Sequence, residues 1–495
     1  MFLDEKFLFG FSESGFQFEM GLPGSEDPNS DWWIWVHDRD NIFAGIVSGD
    51  YPENGAGYWD LYKIDHGIAC FLGMRIARLG IEWSRIFHKP TLDVRVDVSI
   101  DESGDIVSID ISHKAIEELD KLANKQAVSR YMEIFKHWKE SCGEKLILNL
   151  YHWTMPTWLH DPIKVRNMGP EKAPAGWLSK TTIVEFAKFA AYIAYKFNEV
   201  VDAWSLMNEP NVVYMGGYMG TGFPPGIINS HYMLKAASNL LEACARAHDS
   251  IRLYSKKPIG LIHAIIWFEP HQVEKPEDLE AVDKAKTYWQ LGFIDALTKG
   301  VSIFTGNVEK KHLKNKLEWL GVNYYSRHVV KYQDNALGYK PVHGYGFTCG
   351  SQVSRDGRPC SDIGWELYPE GLYYSLRELW TRYSLPILIT ENGIADANDS
   401  LRPRYIVSHL KAVHRAIREG IEVQGYLHWA LTDNYEWSSG FRPRFGIVEV
   451  DYSTKKRLIR PSGLVFKEIA ESGFSILDEL EWGVGFRCGS ELKPL

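Results

Sequence analysis

The chain has little of what would commit it to metal, membrane or nucleic acid. Its six cysteines (Cys70, Cys142, Cys244, Cys349, Cys360 and Cys488) form no CxxC pair and no zinc-like spacing. Scattered thiols of this kind are expected to stay reduced, which fits a cytoplasmic protein better than a disulfide-stapled secreted one. No apolar run approaches the roughly 20 residues needed to span a bilayer. The opening residues Met1 to Lys6 lead into no apolar stretch of the signal-peptide kind. Positive charge is short as well: 55 Lys and Arg stand against 64 Asp and Glu, a formal net charge of −9. That balance argues against nucleic acid or an anionic membrane as a principal partner and is compatible with a neutral substrate. No Gly/Ser linker, low-complexity tract or internal repeat divides the 495 residues, so a single domain over 1–495 is expected.

Aromatic side chains are plentiful, with 18 Trp, 25 Tyr and 23 Phe. Many must be core, but aromatic faces also stack on the flat faces of sugar rings, and only position separates the two uses. Eight short apolar runs read as strands: residues 8–12, 73–79, 145–151, 201–207, 258–266, 317–325, 386–390 and 423–431. Segments of helical periodicity lie between them, as in 126–142, 183–197 and the series Ile406, Leu410, Val413, Ile417. Alternating strands and helices with nearly continuous apolar strands predict an α/β fold, a (β/α)₈ TIM barrel with strands buried on both faces. The turn after the first run, Gly10-Phe11-Ser12-Glu13-Ser14-Gly15, is not the GxGxxG of a dinucleotide fold. The long connections 13–57, 87–124, 152–177, 326–364 and 432–461 follow strand C-termini and are expected to cover one barrel face, where active sites are built.

Two of these strands close on a carboxylate: Glu209 in Asn208-Glu209-Pro210 and Glu391 in Thr390-Glu391-Asn392-Gly393. Either alone reads best as a capping or salt-bridged rim residue, because an unpaired buried carboxylate is costly. Together, on opposite sides of a barrel mouth, they read as a catalytic pair for glycosidic hydrolysis, one protonated and one ionised.

The chain resembles glycoside hydrolase family one, the β-glucosidase and β-galactosidase family, in its archaeal branch. The resemblance is carried by Phe9-Gly10, Gly15-Phe16-Gln17, Trp83-Ser84-Arg85, Tyr151-His152-Trp153, Asn208-Glu209-Pro210, Asn323-Tyr324-Tyr325, Thr390-Glu391-Asn392-Gly393, Asp433-Asn434-Tyr435-Glu436-Trp437 and Arg460-Pro461-Ser462. It implies a retaining β-glycosidase in which Glu209 is the acid/base and Glu391 the nucleophile. Arg78 would pair with the nucleophile, Tyr325 would touch the same carboxylate, and Asn208 would hold the sugar 2-hydroxyl. Gln17, His152, Trp153, Trp429, Glu436 and Trp437 would read the terminal sugar, with Trp365 on the aglycone side or simply packing a loop. The resemblance implies no metal and no cofactor, β-glycosides and short oligosaccharides as substrates, and a homo-oligomer, tetramer or dimer. Glu436-Trp437 argues against a 6-phospho-sugar substrate, since a carboxylate there would repel phosphate. A β-mannosidase and a non-catalytic sugar-binding barrel are the alternatives. His88, Thr154-Met155 and Pro443 depart from the family pattern and bear on aglycone preference, not on reaction type.

Overall fold

The computed structural model, which describes residues 6–480, is built on a closed barrel of eight parallel strands. The strands are β1 (Leu8–Ser12), β2 (Ile76–Gly80), β3 (Lys145–Asn149), β4 (Ala203–Asn208), β5 (Ile259–Ala264), β6 (Trp319–Asn323), β7 (Ile387–Asn392) and β8 (Val423–His428). Neighbours in sequence are neighbours in the barrel, and β8 pairs with β1 to close it. Outer helices follow in the same order: α1 (Tyr58–Phe71), α2 (Lys125–Ser141), α3 (Lys180–Phe197), α4 (Ser230–Arg252), α5 (Gly292–Lys299), α6 (Pro369–Tyr383), α7 (Arg402–Arg418) and α8 (Pro461–Ser472).

All eight apolar runs overlap a barrel strand, and three strands, β2, β4 and β7, pass the end of their run. The second begins at Ile76 rather than at residue 73, because Gly73 adopts a left-handed φ of 77° in the turn that leaves α1. One buried residue from each strand forms a layer of its own: Leu8, Ile76, Ile147, Ala203, Ile262, Trp319, Leu388 and Leu427. These bulky side chains fill the barrel interior, as barrel packing requires. Gly260 is the small partner that admits Trp319: a Cβ there would lie 2.3 Å from the indole. Outside the strands, Tyr131, Phe135 and Trp138 of α2 and Phe186, Ala190, Ile193 and Phe197 of α3 are buried, which is the face their periodicity marked. Asn124 caps α2 by accepting from Gln126 N–H and Ala127 N–H, so the helix starts one residue before its apolar pattern does.

The long connections carry structure of their own. The connection after β2 holds the hairpin Asp97–Ile100 with Ile106–Asp110, and the sixth, after β6, holds Arg327–Tyr332, which pairs with Trp267–Pro270 and Tyr339–Pro341. Two disulfides correct the reading of the cysteines as reduced thiols. Cys70 in α1 pairs with Cys142 at the end of α2, Cys349 pairs with Cys360 in the sixth connection, and Cys244 is buried and free. The partners lie 72 and 11 residues apart. Spacing therefore gave no sign of them; the first pair meets only because α1 packs beside α2. The argument from thiols to a reducing compartment loses its basis. Cys488, like the rest of the tail beyond 480, lies outside the described residues. Among the described residues no helix is long and apolar enough to cross a membrane.

Candidate active site

The regular sheet breaks down where three strands reach the barrel mouth. Register shifts occur at the ends of β4 (between Ser205 and Asn208), β6 (between Val322 and Asn323) and β7 (between Ile389 and Asn392). Such irregularities re-aim side chains next to functional sites. Here they turn Asn208, Asn323 and Glu391 toward a common space. Glu209 follows β4 directly and precedes Pro210, the first residue of a helix, so the chain changes direction within one residue. It does so with a left-handed φ of 48° at Glu209. Trp153 and Trp437 are left-handed too, at 75° and 52°. Backbone of this kind costs about 1–3 kcal/mol for a bulky residue and persists where the surroundings over-determine it.

Glu391 is 4% exposed and Glu209 6%. They stand three strands apart, not diametrically opposite as the strand order suggested, and β6 lies next to β7 between them. Glu391 forms an ion pair with Arg78, which is fully buried in β2, and accepts a hydrogen bond from the Tyr325 hydroxyl at 2.7 Å. Arg78 also donates to His152 Nδ1 at 2.9 Å, and His152 Nε2 lies 3.0 Å from the Asn208 amide. Among the described residues no cation forms an ion pair with Glu209. Its Oε1 accepts from the Asn323 amide at 2.9 Å, and the same amide reaches Asn208 Oδ1 at 3.0 Å. Asn323 is in turn fixed by the Thr390 hydroxyl at 2.7 Å.

These environments set the protons. Burial, then the neighbouring charge of Glu391, pushes Glu209 up to about 8. Burial raises Glu391 as well, but Arg78, Tyr325 and Asn323 all favour its charged form. When the pair carries one proton it therefore resides on Glu209. Burial and the Arg78 guanidinium hold His152 neutral, well below the usual histidine range.

Around the pair lies a cavity of about 390 Å³. Gln17, His152, Trp153, Glu209, Tyr325, Trp365, Glu391, Trp429, Glu436 and Trp437 all line it, whereas Arg78 and Asn208 of the expected site, and His88, Thr154 and Met155, do not. Glu436 accepts from Trp429 Nε1 at 3.1 Å and from Gln17 Nε2 at 3.4 Å, and Gln17 also donates to Asn434 Oδ1 at 3.0 Å. Burial pushes Glu436 up to about 7. Trp153 and Trp437 meet with ring centroids 4.6 Å apart and pack with Phe223 and Trp32. Trp365 does both things considered for it: it borders the cavity and packs against Tyr325, Phe347 and Phe445.

Sequence reasoning quoted Asn323, Thr390 and Asn434 in motifs without giving any of them work. Their signal was present, since polar residues at the end of apolar strands need partners when buried. Among the described residues the grouping with metal-ligand spacing is Asp101, Asp105 and His312, none of which lines this cavity, and Lys310 already pairs with Asp105.

The sequence profile described as glycosyl hydrolase family 1 matches residues 120–474. The chain belongs to that family. It is 51% identical to the β-galactosidase of Saccharolobus solfataricus over 96% of each chain. The crystal structure of the β-glycosidase from the hyperthermophile Thermosphaera aggregans superposes with a TM-score of 0.91 at 53% identity, covering 99% of this chain and 98% of that one. The family 1 β-glucosidase of Thermotoga maritima keeps the fold at 26% identity, TM-score 0.77, over 95% and 98% of the two chains. This family 1 chain is a glycoside hydrolase acting on carbohydrate.

Proposed function

We propose that the enzyme is a retaining β-glycosidase, one domain throughout, that removes terminal β-linked glucose or galactose by double displacement. The observation that carries this is the division of one proton between two unlike glutamates. Glu391, ionised against Arg78 and oriented by Tyr325, attacks the anomeric carbon while Glu209 gives its proton to the departing oxygen. Water then replaces the aglycone, Glu209 takes its proton as base, and attack on the glycosyl–Glu391 ester releases the sugar with its configuration retained. Asn208, held by His152 and Asn323, is placed for the 2-hydroxyl.

Glu436 and Gln17 form the reading pair for the far side of the sugar. A two-oxygen acceptor serves a 4-hydroxyl in either orientation, which is why both epimers are expected to react. The 51% identical relative being a β-galactosidase, and the 26% identical one a β-glucosidase, supports the same breadth. The tests are direct. Nuclear magnetic resonance of the first-formed sugar should give the β anomer. The kcat/KM values for matched β-glucosides and β-galactosides should lie within about a hundredfold, roughly 2.7 kcal/mol. Glu436→Ser should depress both. An α first product, or a preference for a 6-phosphorylated sugar, contradicts the proposal.

A further inference from the structure

Two buried residues of opposite charge adjoin the cavity wall without lining it. Glu366 follows Trp365 directly, and Arg327 stands two residues after Tyr325. They meet side by side: Arg327 Nε donates to Glu366 Oε2 at 2.8 Å and Nη2 donates to Oε1 at 3.0 Å. Ser354 Oγ donates to Oε1 at 2.7 Å, and Gly346 N–H donates to Oε2 at 2.9 Å. Four donors thus converge on one carboxylate. An amide of the same shape would turn its NH₂ toward an Arg327 N–H, so only the charged group fits. Arg327 is held in turn by Glu269 at 2.5 Å and by Asp356, and its guanidinium lies over the Tyr368 ring.

This one carboxylate gathers three segments, and each segment brings a ring. Tyr325, Trp365 and Phe347 meet edge-on, with centroids 5.4 Å apart for Tyr325 and Trp365 and 4.9 Å for Phe347 and Trp365. Tyr325 is tied to Glu366 through Arg327, and through Ser326 Oγ, which donates to the Glu366 carbonyl at 2.7 Å. Phe347 is tied through the neighbouring Gly346 N–H, and Trp365 through the chain itself. The segments touch here: Gly346 has a left-handed φ of 52°, and a Cβ on it would lie 1.8 Å from the Arg327 carbonyl oxygen. From the other side, the Tyr405 hydroxyl donates to the Tyr325 carbonyl at 3.1 Å. That bond fixes the backbone and leaves the ring free to turn. Contact with Trp365, and with Phe445 at 6.0 Å, sets the ring, and its hydroxyl is the one bonded to Glu391.

We propose that Glu366 and Arg327 are positioning residues, whose two-pronged pair holds Trp365 against Tyr325 and so keeps the tyrosine hydroxyl on Glu391. The proposal rests on the reading of Glu391 as the ionised nucleophile and adds the device that keeps its hydroxyl partner in place.

The acidic limb of the kcat/KM profile reads that hydroxyl, because a hydrogen bond to the charged form favours it. Glu391 also faces Arg78 from β2, Glu209 beyond β4 and Glu436 in the connection after β8, with His152 behind Arg78. Among the described residues none of these bonds to Arg327 or Glu366. Tyr325→Phe should move the limb to higher pH and lower kcat/KM about 10- to 100-fold, the worth of one hydrogen bond to a charged group. Glu366→Gln should act in the same direction. The sign is decisive, since loss of a negative charge would by electrostatics alone favour ionised Glu391 and move the limb to lower pH. Arg327→Lys keeps both charges, loses the planar fork, and should also move the limb upward. These two variants perturb opposite partners, so the answer does not hang on one of them folding. Glu366→Gln added to Tyr325→Phe should move the limb no further. A crystal structure of Glu366→Gln reads the geometry without turnover, and should show the Tyr325 hydroxyl beyond about 3.5 Å from Glu391. A limb that stays or falls in both Glu366→Gln and Arg327→Lys overturns the proposal. So does a further shift in the double variant, or an unchanged Tyr325–Glu391 bond in that crystal. A fluoro-sugar trapped on Glu209 would instead remove the nucleophile reading, while the crystal structure still decides whether the pair places Tyr325.

Discussion

The ends of β4 and β7 carry the same side chain in opposite electrical settings. At β7, Glu391 faces a guanidinium that is itself wholly buried, and a tyrosine hydroxyl completes its coordination. At β4, Glu209 accepts from an amide, forms no ion pair among the described residues, and feels the charge of its neighbour. Burial alone would raise both carboxyls alike; the arginine in β2 breaks the symmetry. The comparison teaches that the charge of each glutamate is decided less by its own strand than by which of the two the Arg78 guanidinium meets at the barrel mouth.

The largest expected effect comes from deleting the ionised partner. Glu391→Gly should lower kcat by at least about 10⁴-fold on every substrate, since loss of a nucleophile removes the whole covalent route. Azide or formate should restore turnover on activated aryl glycosides by occupying the vacated space. Wild-type-like rates without added anion would remove Glu391 from the mechanism and end the comparison.

Deleting the protonated partner should act selectively. Glu209→Ala should cost about 10²–10⁴-fold in kcat/KM on disaccharides, the usual worth of acid assistance, and far less on glycosides of acidic phenols. Equal losses on both would break the acid/base assignment.

The smallest and sharpest test is the charge between them. In the proposed mechanism Glu391 is ionised, so kcat/KM should rise as pH passes upward through its pKa, and Glu209 is protonated, so activity should fall as pH rises past about 8. In Arg78→Gln the opposite charge is gone and the charged form of Glu391 is less favoured. The acidic limb should then move to higher pH. An unmoved limb with only stability lost would make Arg78 a structural ion pair.

Much of this was legible in the sequence, for physical reasons. Strands buried on both faces must be continuously apolar, so all eight announced themselves, and a carboxylate ending such a strand is conspicuous because burial makes it expensive. What was not legible depends on distant segments meeting. Asn323 is one residue of an ordinary strand end until a register shift aims it between Glu209 and Asn208. The pairing of Cys70 with Cys142 depends on two helices packing, and that of Cys349 with Cys360 on how a surface loop folds back. Trp365 could not be assigned from sequence because it borders the cavity and anchors a loop at once.

The central claim is that Glu391 bonds to the sugar and Glu209 does not. A 2-deoxy-2-fluoro β-glucoside with a good leaving group forms the glycosyl-enzyme faster than water can cleave it, because fluorine at C2 slows both steps while the leaving group spares the first. Incubation followed by proteolysis and mass spectrometry should find one fluoro-sugar per chain, on the peptide containing Thr390-Glu391-Asn392, with activity lost in proportion. A label on the peptide containing Glu209, or full inactivation with no covalent sugar anywhere, would contradict the account.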